Sequence, residues 1–132
     1  MENYSKIINI EALTMIDMVR RDYLPAVSKF VSALSENVQT KRGLNLSCVY
    51  ESSVANKLSN LMTETYNTVN ALETEEKFAC SIKDKTAQAV EYSEKIVPMM
   101  DELREKVDAM EVLTGAEYWP VPTYGDMTYY VD

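Results

Sequence analysis

The sequence predicts an all-α protein: an up-down-up antiparallel bundle of three long helices, two with internal proline kinks, plus an extended C-terminal tail. Three observations carry this. Apolar residues recur at steps of three and four along most of the chain, the period of an amphipathic helix. Three glycines and four prolines in 132 residues leave few places for turns, which favours a few long helices over many short strands. Stop signals at Gly43 and Gly115 divide the pattern.

The first helix is expected over residues 5–42. Ile8, Ala12, Met15 with Ile16, Val19, Tyr23, Val27, Phe30, Leu34 and Val38 form its apolar stripe. Lys41 and Arg42 put cations at the negative end of the helix dipole, with Gly43 just past it. Pro25 lies inside this run. It removes one backbone hydrogen bond and crowds the preceding turn, and the stripe resumes in phase beyond it, so a kink near residues 21–23 is expected.

The second helix is expected over 48–79, on Val54, Leu58, Leu61 with Met62, Thr65, Val69 and Leu72, capped by Ser47 or Ser52. No glycine or proline marks its end. Ser81 and Asp84 fit a capping box that opens the third helix over 82–114, and a break near Thr74, with Glu75 and Glu76 in a first turn, is the alternative. The third stripe is Ile82, Ala89, Tyr92, Ile96, Met100, Leu103, Val107 and Met110. Pro25 precedes Gly43 by 18 residues and Pro98 precedes Gly115 by 17. Two helices ending level would then carry their kinks at one height, about 26 Å below the end. Residues 115–132 form the non-helical tail. Pro120 and Pro122 hold Trp119 and Val121 extended, and Trp119 and Tyr124 are the aromatic anchors such a tail needs. The whole of 1–132 reads as a single helical-bundle domain.

Composition narrows the function. A net charge of −8 offers no basic stripe for nucleic acid and no attraction to an anionic membrane. No apolar run approaches the roughly 18 residues of a membrane span, and no secretory signal opens the chain, so a cytoplasmic location is expected. Histidine is absent, which removes Ser-His-Asp and Cys-His nucleophiles, HExxH zinc sites and the Glu-x-x-His pairs of di-iron bundles. Cys48 and Cys80, some 48 Å apart if they lie near opposite ends of one helix, suit neither a disulfide framework nor a zinc site.

Glu94, Asp101, Glu105 and Asp108 share one helix face, where a solvated surface explains them as well as a metal or acid/base cluster does. The eight methionines fit core filling. Arg20 and Arg21, beside Asp17 and Asp22, form a surface pair or mark an inter-subunit contact. The sequence assigns no catalytic, cofactor-binding or metal residue.

Three patches carry a family resemblance. Asn9 to Ala12 leads through Met15 and Met18 into Arg20-Arg21-Asp22-Tyr23-Leu24-Pro25-Ala26-Val27. Tyr92 precedes Val97-Pro98-Met99-Met100 and Leu103-Arg104. Trp119-Pro120-Val121-Pro122-Thr123-Tyr124-Gly125-Asp126 closes the set. In order and spacing these are similar to the C-terminal end of type III glutamine synthetases, the long bacterial form of that enzyme. The resemblance implies a segment of a longer ligase that joins ammonia to glutamate using ATP and Mg, whose metal, phosphate and ammonium sites lie upstream. It implies no cofactor in this chain. The expected partners are the catalytic domain of the parent chain and neighbouring subunits of a homo-oligomeric ring, with no nucleic acid and no membrane. Arg20, Arg21, Pro25, Pro98, Arg104, Trp119, Pro120, Pro122 and Tyr124 are the structural or interface candidates. A free-standing acidic bundle that binds a partner helix in its groove is the alternative.

Overall fold

A computed structural model describes residues 2–120. Pro122, Tyr124 and the rest of 121–132 lie outside the described residues. Every regular element among the described residues is helical: α1 Glu2–Met18, a π-helical turn Val19–Tyr23, α2 Leu24–Gly43, α3 Val49–Ser81, α4 Lys85–Glu91, a second π-helical turn Tyr92–Ile96, α5 Val97–Leu113, and a 3₁₀ turn Ala116–Tyr118. With each π turn counted into its rod, these make three long helices.

The two π turns answer the two prolines. Leu24 N–H bonds Val19 C=O and Val97 N–H bonds Tyr92 C=O, five residues back in each case. Pro25 and Pro98 follow immediately, so the residue without an N–H enters after a turn already widened by one residue. The two prolines are not level. Tyr92 packs beside Asn9 and Gly115 beside Phe30, so the first and third rods run with an offset of 83 to 85 residues. Pro98 therefore sits opposite residue 14 or so, about 16 Å from Pro25 along the first rod. The expected common height fails because the first rod continues well past the point where the third one stops.

Along the first rod, Asn9 meets Cys80, Arg20 meets Glu73 and Asn70, and Lys41 meets Glu51. Between α3 and α5, Lys106 reaches Glu64 and Thr65 lies against Met110. The core fills the space between the rods: Ala12, Ile16, Val19, Val27 and Leu34 from the first, Val54, Leu58, Val69 and Leu72 from α3, and Tyr92, Ile96, Met100, Leu103, Val107 and Met110 from the third. Burying each such side chain is worth about 1.5–3 kcal/mol before chain entropy is counted.

Several boundaries move for local reasons. Gly43 is the last helical residue of α2 rather than the residue beyond it. The stop is made by Asn45 at φ 55°, with Leu46 N–H on Lys41 C=O at 2.8 Å and Asn45 N–H on Arg42 C=O at 3.1 Å. This is a Schellman closure with asparagine as its left-handed residue. Neither Ser47 nor Ser52 caps α3; Cys48 holds that position without a side-chain bond to a backbone N–H, its sulfur accepting from the Ser52 hydroxyl at 3.9 Å instead. Ser81 ends α3, its hydroxyl donating back to Phe78 C=O, while Asp84 alone caps α4 by accepting from Ala87 N–H at 2.9 Å. The capping box is thus half right. Residues past Gly115, expected to be non-helical, begin with one 3₁₀ turn before extending at Trp119.

Candidate functional site

The residues singled out from the sequence do not converge on one place. Arg20 reaches from the π turn of the first rod to α3, where Nη1 and Nη2 bond the two oxygens of Glu73 at 2.7 and 3.0 Å and Nη2 also bonds Asn70 Oδ1 at 2.9 Å. This guanidinium holds the Glu73 carboxyl below the usual carboxylate range. Arg21 points the other way, toward Asp17 at 3.8 Å on the surface, and Arg104 pairs with Asp101 at 3.0 Å on α5. Pro25, Pro98 and Pro120 are exposed, and Trp119 is buried against Tyr23. The acids Glu94, Asp101, Glu105 and Asp108 are all exposed.

A polar cluster that the sequence reading missed lies where all three rods meet. Glu76, only 2% exposed, faces inward from α3 because Leu72, Glu76 and Ala79 share one stripe. Tyr92, at the start of the second π turn, donates its hydroxyl to Glu76 Oε1 at 3.0 Å. Cys80 Sγ lies 3.4 Å from both Tyr92 Oη and Asn9 Oδ1. Glu76 Oε2 is buried without a partner, and burial pushes the carboxyl above its ordinary range, against the pull of the Tyr92 and Cys80 hydrogen bonds. Burial also pushes the Tyr92 phenol up. Directly before Tyr92 in the chain, Glu91 has its Oε2 likewise buried and unpartnered. Its carboxyl is raised by burial first and then by a hydrogen bond to the Glu75 carboxyl. A glutamate at core phase four residues after Leu72 was the available signal.

The chemistry open to this cluster is limited. One phenol, one thiol, one amide and two carboxyl groups make contacts between rods, and no described group of three His, Cys, Asp or Glu side chains is placed to hold a metal ion. Tyr92 and Cys80 line a small cavity of about 120 Å³ with Ser5, Lys6, Asn9, Lys85 and Gln88. A larger open groove of about 530 Å³ runs between the first and third rods, lined by Ile10, Met15, Met18, Tyr23, Met100 and Arg104 among others. No described helix is long and apolar enough to cross a membrane.

Fold and cluster together define an acidic, all-helical segment with a polar contact buried where its rods meet. Its sequence is similar to glutamine synthetases in every comparison that matched. Residues 1–42 match the family described as the glutamine synthetase C-terminal domain. Over 98% of its length the chain is 32% identical to a glutamine synthetase of Butyrivibrio fibrisolvens, of which it covers 19%. It is 29% identical to a type-3 glutamine synthetase of Dictyostelium discoideum over 97% of the chain and 18% of that protein. A glutamine synthetase of Bacteroides fragilis (strain YCH46) is 23% identical over 98% of the chain and 18% of its own length. The chain thus spans less than a fifth of these relatives. No solved structure matches. These matches bear out the resemblance to the C-terminal end of glutamine synthetases that the three sequence patches carry.

Proposed function

We propose that this chain is the non-catalytic C-terminal structural domain of a type III glutamine synthetase, bracing the catalytic portion and packing between subunits of a homo-oligomeric ring. The observation that carries the reading is the end-to-end similarity to glutamine synthetases five times its length, joined to a C-terminal-domain match on its first helix. The type-3 name of the Dictyostelium discoideum relative supports the class. The rods are taken as an up-down-up bundle that bends at the two π turns. Support comes from rising residue numbers on the first rod meeting falling ones on α3, as Asn9–Cys80, Arg20–Glu73 and Lys41–Glu51 do.

The parent reaction, glutamate plus ammonia at the expense of ATP with Mg, belongs in this reading to the portion outside the chain, in the cytoplasm. The residues present do not fit Mg-ATP. The two orphaned carboxylate oxygens, on Glu76 and Glu91, are buried beside Tyr92 and Glu75 instead of facing a shared opening.

Assembly is the test. The catalytic portion of glutamine synthetase from the same organism is compared with and without this chain by analytical ultracentrifugation and thermal inactivation. The joined form should hold a larger, more heat-resistant oligomer. Equal mass and equal stability would remove the structural role. The chain alone should form no glutamine and give no heat with Mg-ATP in calorimetry, and micromolar saturable binding would show an overlooked site.

A further inference from the structure

We infer that the outward face of α1 is the surface on which the catalytic portion of glutamine synthetase sits, an inference that rests on the domain reading above and adds the contact surface to it. Ala12 and Ile16, followed by Val19 in the π turn, turn the inner face of this rod into the core. At about 100° per residue, Ile7 and Ile10 point nearly opposite. They are 54% and 63% exposed, with Leu13 at 51% beside them. A single exposed apolar residue is ordinary. Two on one pole, with Leu13 on the adjoining flank and Ile10 continuous with the Met15, Met18 and Met100 groove, form a patch of the kind that marks an interaction surface.

Chain length and charge choose the occupant. More than four-fifths of each matched relative lies outside the matched stretch, and α1 falls within the family match to residues 1–42. The rim of the patch is mixed, with Glu11, Asp17 and Asp108 set against Lys6, Arg21 and Arg104. A second copy would bring the same rim and a net charge of −8 against it. Residues 121–132 bring two more aspartates and no lysine or arginine. A partner with an apolar centre that brings no such negative load fits the patch better than either of those two.

The test measures binding of the 132-residue chain to the catalytic portion of glutamine synthetase from the same organism. Benzophenone is placed at residue 10, or at exposed Asn60 on α3 as the control. The chain should bind, crosslink from position 10 and not from position 60, and lose affinity at least about ten-fold when Ile7→Glu and Ile10→Glu are combined. Binding that survives both substitutions, with crosslinks from position 60 instead, overturns the surface and leaves the domain reading standing. Absence of binding by the unaltered chain overturns both. Crosslinks from position 10 to a second copy, or into residues 121–132, overturn the choice of occupant. The crosslinking arm needs no double variant, so the test stands even if that variant folds poorly.

Discussion

Trp119 lies flat on Tyr23, with ring centroids 5.1 Å apart and planes 12° from parallel. The contact ties the chain beyond α5 back to the first π turn, 96 residues earlier in sequence. Trp119 is 8% exposed and belongs to the continuous core. Replacing it by alanine should cost about 3 kcal/mol. Its emission, the signal of a lone tryptophan, should be blue-shifted and poorly quenched by acrylamide. Emission near 350 nm with full quenching would mean that the indole is in water.

The two described glycines should respond to alanine with opposite signs. Gly43 is helical, its φ is not positive, and an added Cβ would meet nothing within 4 Å. Gly43→Ala should therefore stabilise by about 0.5–1 kcal/mol. At Gly115 an added Cβ would stand 3.2 Å from Phe30 Cε1, whose ring is tilted on Tyr118 at 5.1 Å. Gly115→Ala should destabilise by about 1 kcal/mol. Denaturant unfolding of both variants decides the pair, and a gain at Gly115 would show that Phe30 moves aside freely.

Arg20 makes a planar fork, and a fork is what lysine lacks. Arg20→Lys keeps the charge but cannot bond both Glu73 oxygens and Asn70 at once. The thermal midpoint should fall for the lysine variant at neutral pH. Glu73 is held below the usual carboxylate range in the folded chain, so the pair contributes above that range and its contribution fades as pH drops through the depressed value. The difference between the variants should shrink there, and in high salt as well, since both side chains are about one-third exposed. A difference independent of pH would point to packing of the arginine stem instead.

Much of this fold was legible because three stripes at helical spacing name nearly the whole core. What was not legible depends on geometry between residues. Proline signals a disturbance, but its position alone does not say whether the backbone bends or widens into a π turn ahead of it. Gly43 looked like the stop because glycine is the commonest left-handed residue, yet Asn45 takes that conformation two residues later. Glu76 was passed over as a charged residue although its spacing from Leu72 put it on the core face. Its partner Tyr92 reads as one more position of the third apolar stripe, and Cys80 only as a thiol without a disulfide or zinc partner. Only the meeting of three rods makes them one cluster.

That cluster sets the pH response on the alkaline side. Glu76 and Glu91 each bury an oxygen without a partner, and both carboxyl groups are raised, in each case chiefly by burial. The groups facing them are Tyr92 and Cys80 for Glu76, and Glu75, Glu94 and Lys95 for Glu91. A raised acid binds more protons folded than unfolded between its two pKa values, so stability declines as pH rises from the ordinary glutamate range through the raised values. Below that window the two groups contribute no slope. Glu76→Gln keeps an acceptor for Tyr92 and removes the buried charge, and Glu91→Gln removes the repulsion with Glu75. Each variant should melt higher than the parent at pH 8, and the gap should close near pH 4. Melting curves for Glu76→Gln and Glu91→Gln across that range decide it. A lower melting point at pH 8 for Glu76→Gln would mean that the charged carboxylate is the form that Tyr92 and Cys80 hold in place.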